Sequence, residues 1–300
     1  MQRCSTVVAS IAIFLGAFTS LSGEVLRIAT YNVRNYLVMD RMVDGQWRPE
    51  YPKPESEKQL IRRAILEASP DVLLLQEMGS AEFLDELKAD LRREGLEYTY
   101  AYHMEAADSV RHLAVLSKVA PVEVIAHTDL DFKYLEGREL VKRGMLELSF
   151  GLESGGEFQL FLVHLKSRFT DFKADPESQM RRTREAEACR DRIIERSLDQ
   201  GRSQYLVAGD FNDHPASAPL RRFYSKGDLI LGERVVPIDS RGHHWTYFYA
   251  KEMRYESIDG FIVSPALGPK VRGNSATIID APDLLSGSDH RLVFLELEKR

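Results

Sequence analysis

The residue types best suited to chemistry lie in one short segment, Gly209-Asp210-Phe211-Asn212-Asp213-His214. Residues 205–208 directly before it form an apolar, partly β-branched run, which predicts a buried strand. Gly209 allows the chain to turn at the strand end, and Pro215 prevents the strand from continuing. Carboxylate, amide and imidazole groups on such a loop suit metal-assisted hydrolysis. An Asx-rich turn with a structural role is the alternative interpretation.

Most of the other predicted strands carry a polar residue where an apolar run ends or begins, and Asp259 lies inside the predicted strand 257–264. A buried acid without a partner is costly, so each of these acids needs a metal, a cation or a hydrogen-bond donor. Together they predict one shared polar pocket. The residues are Asn32, Glu77, His164, Asp210 with Asn212, Asp259, and Asp289-His290.

The elements that must position these residues are short strands and amphipathic helices. Their pattern, without an internal repeat, low-complexity stretch or linker, predicts one domain of layered sheets with helices outside, residues 24–300. A loop is predicted at 45–54 and a hairpin turn at Gly155-Gly156. Strands are predicted at 26–33, 72–77, 98–102, 112–117, 122–126, 144–150, 158–164, 205–208, 245–249, 257–264, 276–279 and 291–297, and helices at 60–68, 83–91 and 177–198.

Composition places the chain among soluble globular proteins, with 44% hydrophobic and 29% charged residues. A formal net charge of −6 gives no basic footprint for unspecific nucleic-acid binding. A nuclease is not excluded, because a few local cations can serve one groove. The arginines of helix 177–198 alternate with acids, which indicates a solvated, ion-paired face, with a nucleic-acid contact as the alternative.

Residues 1–23 differ from the rest of the chain. Arg3 precedes the apolar run 7–18, and the small residues Ser20, Ser22 and Gly23 follow. This order predicts a secretory signal peptide and a secreted or periplasmic protein that has no stable membrane insertion after cleavage. A retained anchor is the alternative, and the run is short for a span. Cleavage near Gly23 would leave a single cysteine and therefore no intramolecular disulfide.

The polar residues also form an ordered series of motifs across residues 26–297. The series resembles the endonuclease/exonuclease/phosphatase superfamily, the group of DNase I, the apurinic endonucleases, the sphingomyelinases and the inositol polyphosphate 5-phosphatases. The resemblance implies an exported, bacterial-type member. Its implied fold is a four-layer α/β sandwich, two mainly antiparallel β-sheets packed face to face with helices outside. The motifs are Thr30-Tyr31-Asn32-Val33-Arg34, Gln76-Glu77, Val163-His164-Leu165-Lys166-Ser167, Gly209-Asp210-Phe211-Asn212, Ser257-Ile258-Asp259 and Ser288-Asp289-His290.

The resemblance implies a metal site and a water site. Glu77 would be the main ligand of Mg²⁺ or Mn²⁺, hard cations that prefer carboxylate oxygen. Asp289 would be a second ligand or would orient water, and Asn32 would bind a phosphate oxygen or the metal shell. Asp210 and Asn212 would hold the attacking water and the phosphate.

The resemblance also implies roles for two histidines. His290 would act on the attacking water or stabilise charge on the phosphorus, and Asp259 would orient it through its other ring nitrogen. His164 would lie on the opposite side of the phosphate and bind it or protonate the leaving oxygen. The sequence leaves open which histidine is the base and which is the acid.

Basic residues around these motifs are candidate substrate contacts together with Asn32. Arg34 stands where apurinic endonucleases carry an acid and the DNase I-like branch carries a base. Arg143 and Lys166 are candidate phosphate contacts through charge-assisted bonds, with surface solvation as the alternative. Glu105 is a candidate for the glutamate that in DNase I supports the histidine matching His164.

The predicted activity is hydrolysis of a phosphodiester by in-line attack of water, without a covalent intermediate. A monomeric DNase I-like endonuclease acting on DNA or RNA is preferred, because of the export signal and the basic residue Arg34 two positions after Asn32. A phosphodiesterase or phosphatase for a small or lipid-linked phosphate is the alternative, and Trp245, Tyr247, Phe248 and Tyr249 would then flank the substrate rather than pack in the core. A non-catalytic binding protein would have lost ligand residues, and the expected positions are filled.

Overall fold

The computed structural model describes residues 25–153, 155–170 and 172–299, so the predicted signal peptide at 1–23 lies outside the described residues. None of the helices in this part of the chain is both long and apolar enough to cross a bilayer. The α-helices described are α1 (Glu55–Ala68), α2 (Ala81–Arg93), α3 (Gln179–Arg196) and α4 (Ala218–Tyr224). The strands described are β1 (Val25–Tyr36), β2 (Met39–Val43), β3 (Gln46–Tyr51), β4 (Val72–Met78), β5 (Tyr100–Met104), β6 (His112–Ser117), β7 (Glu123–His127), β8 (Asp131–Tyr134), β9 (Gly137–Leu140), β10 (Met145–Gly151), β11 (Glu157–His164), β12 (Tyr205–Asp210), β13 (Ser225–Lys226), β14 (Leu229–Ile230), β15 (Glu233–Ile238), β16 (Tyr247–Tyr249), β17 (Arg254–Glu256), β18 (Asp259–Val263), β19 (Ser275–Ile278) and β20 (Val293–Glu298).

One large sheet of two halves forms the centre of the fold. The first half has the order β5-β6-β4-β1-β20-β19, and the second half has the order β18-β12-β11-β10-β7. Strand β15 belongs to both: residues 233–235 pair with β18 and residues 236–238 pair with β19. The expectation of two separate sheets is therefore corrected to two halves joined by one strand, a strand that the sequence analysis did not predict.

The two halves pack face to face, and helices cover both outer faces. Side chains alternate along each strand, so neighbouring residues enter different layers. On β4, Leu74 enters the core shared by the two halves, whereas Leu73 packs with residues of α1 and α2. On β12, Leu206 enters the shared core, whereas Val207 packs with residues of α3 and α4. The predicted four-layer α/β arrangement is confirmed.

Two-stranded hairpins extend from this frame, and one of them, β16–β17, contributes residues to the site. Residues 46–51, predicted as loop, form strand β3, which pairs with β2 and has all its residues exposed. The hairpin of β16 and β17 lies beside the last strand of the motif series, because Tyr247 forms an isolated bridge with His290. Helix α3 begins and ends two residues inside its predicted bounds, at Gln179 and Arg196.

Candidate active site

His164, Asp210 and Asp259 lie side by side on three neighbouring strands. His164 on β11 pairs in register with Asp210 on β12, which pairs in turn with Asp259 on β18. Residues opposite each other in a sheet present their side chains on the same face, so the three groups meet. Gly209 makes the close approach possible, since its φ is +140° and a Cβ there would lie 1.9 Å from the carbonyl oxygen of Val163.

Asp259 and His290 form a fixed pair. His290 Nδ1 donates to the Asp259 carboxylate at 3.0 Å from both oxygens, which leaves Nε2 facing Asp210 Oδ2 at 3.9 Å. Thr246 Oγ1 donates to Asp259 Oδ2 at 2.7 Å and accepts the backbone N–H of Asp259. Burial alone would lower the pKa of His290, but the carboxylates of Asp259 and Asp210 outweigh it and raise the pKa to about 10. His290 therefore holds a proton toward Asp259.

Asp210 lies between the two histidines. Its Oδ2 is 3.5 Å from His164 Nε2, and its Oδ1 accepts the backbone N–H of Asn212 at 2.8 Å. Burial, with the nearby charge of Asp259, raises the pKa of Asp210 to about 7. Asn212 also donates from its side chain to Asp210 Oδ2, at 3.2 Å, and to the backbone of the loop after β11. The carboxylate is thus held by amide donors.

His164 is a neutral ring in this setting. Burial, with the charge of Arg143 next in importance, lowers its pKa well below the usual value. Its Nδ1 is buried and has no hydrogen-bond partner among the described residues. Glu105 is exposed, and no contact between its carboxylate and His164 is found in residues 25–153, 155–170 and 172–299. The suggested Glu105 support for His164 is not observed there.

Asn32 connects the two halves of the sheet at the site. Its Nδ2 donates to Asp210 Oδ2 at 3.0 Å and lies 3.4 Å from Glu77 Oε1. Ser288 Oγ donates to the backbone oxygen of Asn32 at 2.7 Å and accepts the N–H of His290. Glu77 is therefore close to Asp210, although the two residues are far apart in the chain.

Glu77 and Asp289 form the more open side of the site. Glu77 Oε2 accepts the backbone N–H of Asn35 at 2.9 Å and lies 3.8 Å from Arg111 Nε. Asp289 Oδ2 lies 3.6 Å from Arg34 Nε. The backbones of Arg34, Asn35 and Glu77 have φ of +43°, +51° and +61°. Such left-handed values are uncommon for residues other than glycine and concentrate at functional sites.

A cleft of about 880 Å³ opens above these residues. The predicted phosphate contacts Arg34, Arg143 and Lys166 all line it. Arg143 is buried and lies 3.0 Å from Asp108 Oδ2, while burial and the charge of Arg143 lower the pKa of Lys166 to about 8. The cleft lining holds as many acidic as basic residues, so cations and anions meet there without a net positive excess. The seven acidic residues are Glu77, Asp108, Glu177, Asp210, Glu252, Glu256 and Asp289. The seven basic residues in the cleft lining are Arg34, Arg111, Lys142, Arg143, Lys166, Arg168 and Arg254.

The structure brings the predicted site residues together: eight of them line the cleft, whereas Asn32, His164 and Asp259 are buried and contact residues of the lining. Their catalytic roles stay predictions. Sequence reasoning missed Thr246, which orients Asp259, and assigned no role to Ser288. Thr246 lies among aromatic residues without a motif of its own, so no local signal marks it. Arg111 was also missed, although it directly precedes the buried strand β6 much as Arg143 precedes β10.

The acidic residues fit a hard divalent cation. Asp210, Asp259 and His290 offer ligand atoms within 4.8 Å of one another, but the Nδ1 of His290 is already bonded to Asp259 and is not free to bind a metal. Glu77 and Asp289, whose side chains keep 18% and 28% of their surface exposed, are better placed as ligands. Their carboxylates face arginines, which shows that this side of the site balances negative charge with cations.

Comparison with known proteins agrees with this geometry. The sequence model of the Endonuclease/Exonuclease/phosphatase family matches residues 29–290. A sequence search of curated proteins found no match.

Solved structures match the fold at low sequence identity, and at this level the likeness shows the shared fold alone. The catalytic domain of human nocturnin with a bound sulfate is 17% identical, with a TM-score of 0.62, covering 91% of this chain and 94% of that one. The endonuclease/exonuclease/phosphatase from Bacteroides vulgatus is 17% identical, with a TM-score of 0.61, covering 92% and 99%. Sphingomyelinase C from Streptomyces griseocarneus is 18% identical, with a TM-score of 0.59, covering 91% and 99%.

Proposed function

Because the chain belongs to the endonuclease/exonuclease/phosphatase family, we propose that it is a divalent-metal-dependent phosphodiesterase, and specifically a DNase I-like endonuclease. Members of this family are generally hydrolases that act on phosphoester bonds. One observation carries the proposal. Asn32 joins Glu77 to Asp210, and Asp210 lies between His164 and His290 in a single cleft.

Each residue of the cleft has a task in the proposed hydrolysis. A divalent cation, Mg²⁺ or Mn²⁺, held by Glu77 and Asp289 would supply Lewis-acid polarisation of the phosphoryl oxygen. Asp210, fixed by amide donors, orients the attacking water in line with the leaving oxygen. His290 keeps its proton on Nδ1 toward Asp259 and presents Nε2 to the charge that develops on phosphorus.

His164 and the basic residues complete the site. His164 lies across Asp210 from His290, so it contacts the phosphate or the leaving oxygen from the other side. Arg34, Arg143 and Lys166 supply charge-assisted bonds to phosphate oxygens. Basic side chains are spread along the cleft, so they can contact several phosphates of one strand, which supports DNA or RNA as the substrate, although seven acidic residues line the same cleft. The sulfate bound to the related nocturnin domain is an anion of similar shape to phosphate.

The test offers the purified protein bis-p-nitrophenyl phosphate, p-nitrophenyl phosphate, plasmid DNA and sphingomyelin, with Mg²⁺ and with EDTA. We expect cleavage of the diester and of DNA with Mg²⁺, little cleavage of the monoester, and none with EDTA. His290→Ala should lose nearly all turnover, and His243→Ala, an exposed histidine outside the cleft lining, should keep it. If the wild-type protein cleaves none of the substrates, a non-catalytic binding protein is favoured. If it cleaves sphingomyelin alone, the lipid-linked alternative is favoured.

Export and a monomeric state belong to the same proposal. Arg3, the apolar run 7–18 and the small residues after it support secretion or a periplasmic location. N-terminal sequencing of the protein recovered outside the cytoplasm should begin near residue 24. Light scattering of the purified protein should give the mass of one chain, and a stable dimer mass would contradict the monomer.

A further inference from the structure

One wall of the cleft is a row of aromatic rings that begins at the catalytic histidine. The ring centroid of Tyr247 lies 4.7 Å from that of His290. Tyr249 is two residues further along β16, on the same face of the strand, and its ring centroid lies 6.0 Å from that of Phe169. Tyr247, Tyr249 and Phe169 all line the cleft, whereas Phe248 between them stacks on Tyr255. We call Tyr247, Tyr249 and Phe169 the aromatic wall.

The wall faces solvent. The residue Phe169 is 68% exposed, which is unusual for a large apolar residue beside a catalytic centre. It belongs to the loop after β11, the strand that ends in His164. An exposed apolar surface continuous with a cleft indicates that something from solution covers it.

Neighbouring contacts hold the wall in place. Lys166 Nζ donates to the backbone oxygens of Phe169 and Ser167, at 2.5 and 2.9 Å. Arg168 Nη1 donates to Glu256 of β17 at 2.7 Å, so the loop that carries Phe169 is tied to the hairpin that carries Tyr249. The rings are therefore presented by two connected segments.

Two arginines accompany the rings, and each is ion-paired: Arg168 with Glu256, and Arg254 with Glu252 and Glu256. The Arg254 guanidinium carbon lies 5.5 Å from the centroid of the Tyr249 ring, and both Arg254 and Arg168 line the cleft. Surfaces that bind single-stranded nucleic acid usually combine aromatic rings, which stack on the bases, with cations, which contact the phosphate backbone. Such stacking tolerates any sequence, since every base has a π face. The wall combines both features within one side of the cleft.

We propose that the aromatic wall stacks unpaired bases next to the scissile phosphate, so that the substrate is single-stranded nucleic acid. This inference rests on the proposed phosphodiesterase function. A strand rises about 3.3 Å per residue, which puts Tyr249 about 7 Å beyond Tyr247. That spacing is about twice the 3.4 Å rise per nucleotide of a strand in B-DNA. Two neighbouring bases that stack on these two rings would have to separate from each other, which an extended single strand allows and a base-paired duplex resists.

Charge argues against a lipid on this wall. A choline headgroup is a cation, and an aromatic site for it would be free of competing cations. Here Arg254 already lies over Tyr249. The turn of the β16–β17 hairpin contains the charged residues Lys251 and Glu252 beside one exposed apolar residue, Met253, so it offers no continuous apolar tip for insertion among acyl chains. Nucleic acid is thus the occupant that would use both the exposed rings and the neighbouring arginines of the wall.

Binding without turnover gives the first test. A fluorescein-labelled twelve-residue oligodeoxythymidine and its duplex with oligodeoxyadenosine are titrated with protein in EDTA, and anisotropy is measured. We expect the single strand to bind more tightly than the duplex. Phe169→Ala and Tyr249→Ala should each weaken single-strand binding about tenfold, which corresponds to about 1.4 kcal/mol per base stacked. Equal affinities for wild type and both variants would overturn the proposal.

Matched variants separate stacking from general damage to the loop. Phe172→Ala removes another exposed aromatic of the same loop, whose ring contacts Tyr134 and which lies outside the cleft lining. It should bind the single strand as the wild type does. Phe169→Tyr keeps an aromatic face and should restore most of the affinity. A loss with Phe172→Ala as large as with Phe169→Ala would contradict a specific role for the wall.

Kinetics then separate this inference from the proposed function. Phe169→Ala should raise KM for a single-stranded oligonucleotide about tenfold and leave kcat on bis-p-nitrophenyl phosphate within about twofold. A wild-type protein that cleaves no diester refutes the proposed function, and the anisotropy result still decides about the wall. If the protein cleaves the diester but cleaves single-stranded and duplex DNA equally well, base stacking on the aromatic wall is refuted and the proposed function is not. Co-sedimentation with sphingomyelin vesicles that depends on Phe169 would assign the wall to lipid and overturn the inference.

Discussion

The half of the sheet that contains β11, β12 and β18 presents its site residues differently from the half that contains β1 and β4. On the first of these, the side chains of His164, Asp210 and Asp259 keep 2% or less of their surface exposed and lie in regular register. On the other, the residues proposed as metal ligands are Glu77 and Asp289, which stay partly open to the cleft. Glu77 also has a left-handed backbone.

This difference matches two kinds of chemistry. Groups that hold a proton or orient water work best when burial and hydrogen bonds fix them, because their charges are then poorly screened. Groups that bind a cation must stay reachable from solvent, and Mg²⁺ in particular keeps several of its waters. The buried group and the open group should therefore respond differently to substitution and to added metal.

The largest effect is expected in the buried group. Asp210→Asn keeps the shape of the side chain but removes the charge that orients water, so kcat on bis-p-nitrophenyl phosphate should fall about 10⁴-fold. Raising the Mg²⁺ concentration should not restore the rate. Asp228→Asn, an exposed aspartate, is the control and should be as active as the wild type. Recovery of Asp210→Asn at high Mg²⁺ would erase the distinction between the two groups.

The open group should be sensitive to metal concentration. Glu77→Gln weakens the main carboxylate ligand, and we expect about a 10³-fold loss of rate at low Mg²⁺. Part of that loss should be regained at high Mg²⁺ or with Mn²⁺, seen as a raised half-saturation concentration for the metal. A loss that is independent of metal concentration would place Glu77 with the buried group instead.

Because the backbone before Asp210 is closely packed, we expect Gly209→Ala to lower the stability of the fold. A Cβ at position 209 would clash with the carbonyl oxygen of Val163, and the φ of +140° is unfavourable for alanine. Gly209→Ala should therefore lower the free energy of unfolding by about 3 kcal/mol. Gly137→Ala on β9 places its Cβ in open space and serves as the control. Urea unfolding measures both, and equal midpoints would show that the buried strands can shift.

A smaller effect, which depends on pH, is expected on the stability of the fold when Asp239, next to Arg291, is substituted. Burial alone would raise the pKa of Asp239, but hydrogen bonds from the backbone of His243 and from Arg291 lower it to about 2. The unfolded value is about 3.9, so this carboxylate stabilises the fold fully above that pH and ceases to do so as pH falls through 2.

Asp239→Asn should therefore destabilise the protein by about 2 kcal/mol at pH 7, and by much less near pH 2. Urea unfolding at the two pH values measures the difference. A substitution effect that does not change with pH would show that the Asp239 charge is not what supports the segment before β20.

The sequence predicted strands and site residues correctly where an apolar run marks a buried strand and a polar residue marks its exit. The strands ending in Asn32, Glu77, His164 and Asp210 are strongly apolar, so both the strands and their polar ends were recognisable. Strand β15 was missed because it is only six residues long and contains Pro237, although buried and exposed positions alternate over residues 235–238. Its pairing with two different strands is a long-range property that local patterns do not encode.

Tertiary contacts explain the other differences. The stretch 46–51 contains Pro49 and is wholly exposed, so nothing in its pattern indicated β3, which is stabilised by pairing with β2. Thr246 gains its role only because the chain returns beside Asp259. The cations of the cleft come from distant segments, so overall charge could not reveal them. Of the aromatic residues at 245–249, Tyr247 and Tyr249 line the cleft, whereas Phe248 packs on Tyr255. The sequence analysis expected all of them either to flank the substrate or to pack in the core.

Strand β15 gives backbone hydrogen bonds to both halves of the sheet at once. Rotating one half against the other would strain the backbone of β15 where its pairing changes from β18 to β19, so we expect the two halves to move as one body. Adaptation to different ligands must then come from the peripheral ribbons and from the loop after β11. Changes in length or composition there can alter what enters the cleft while the distances between the reacting groups stay constant.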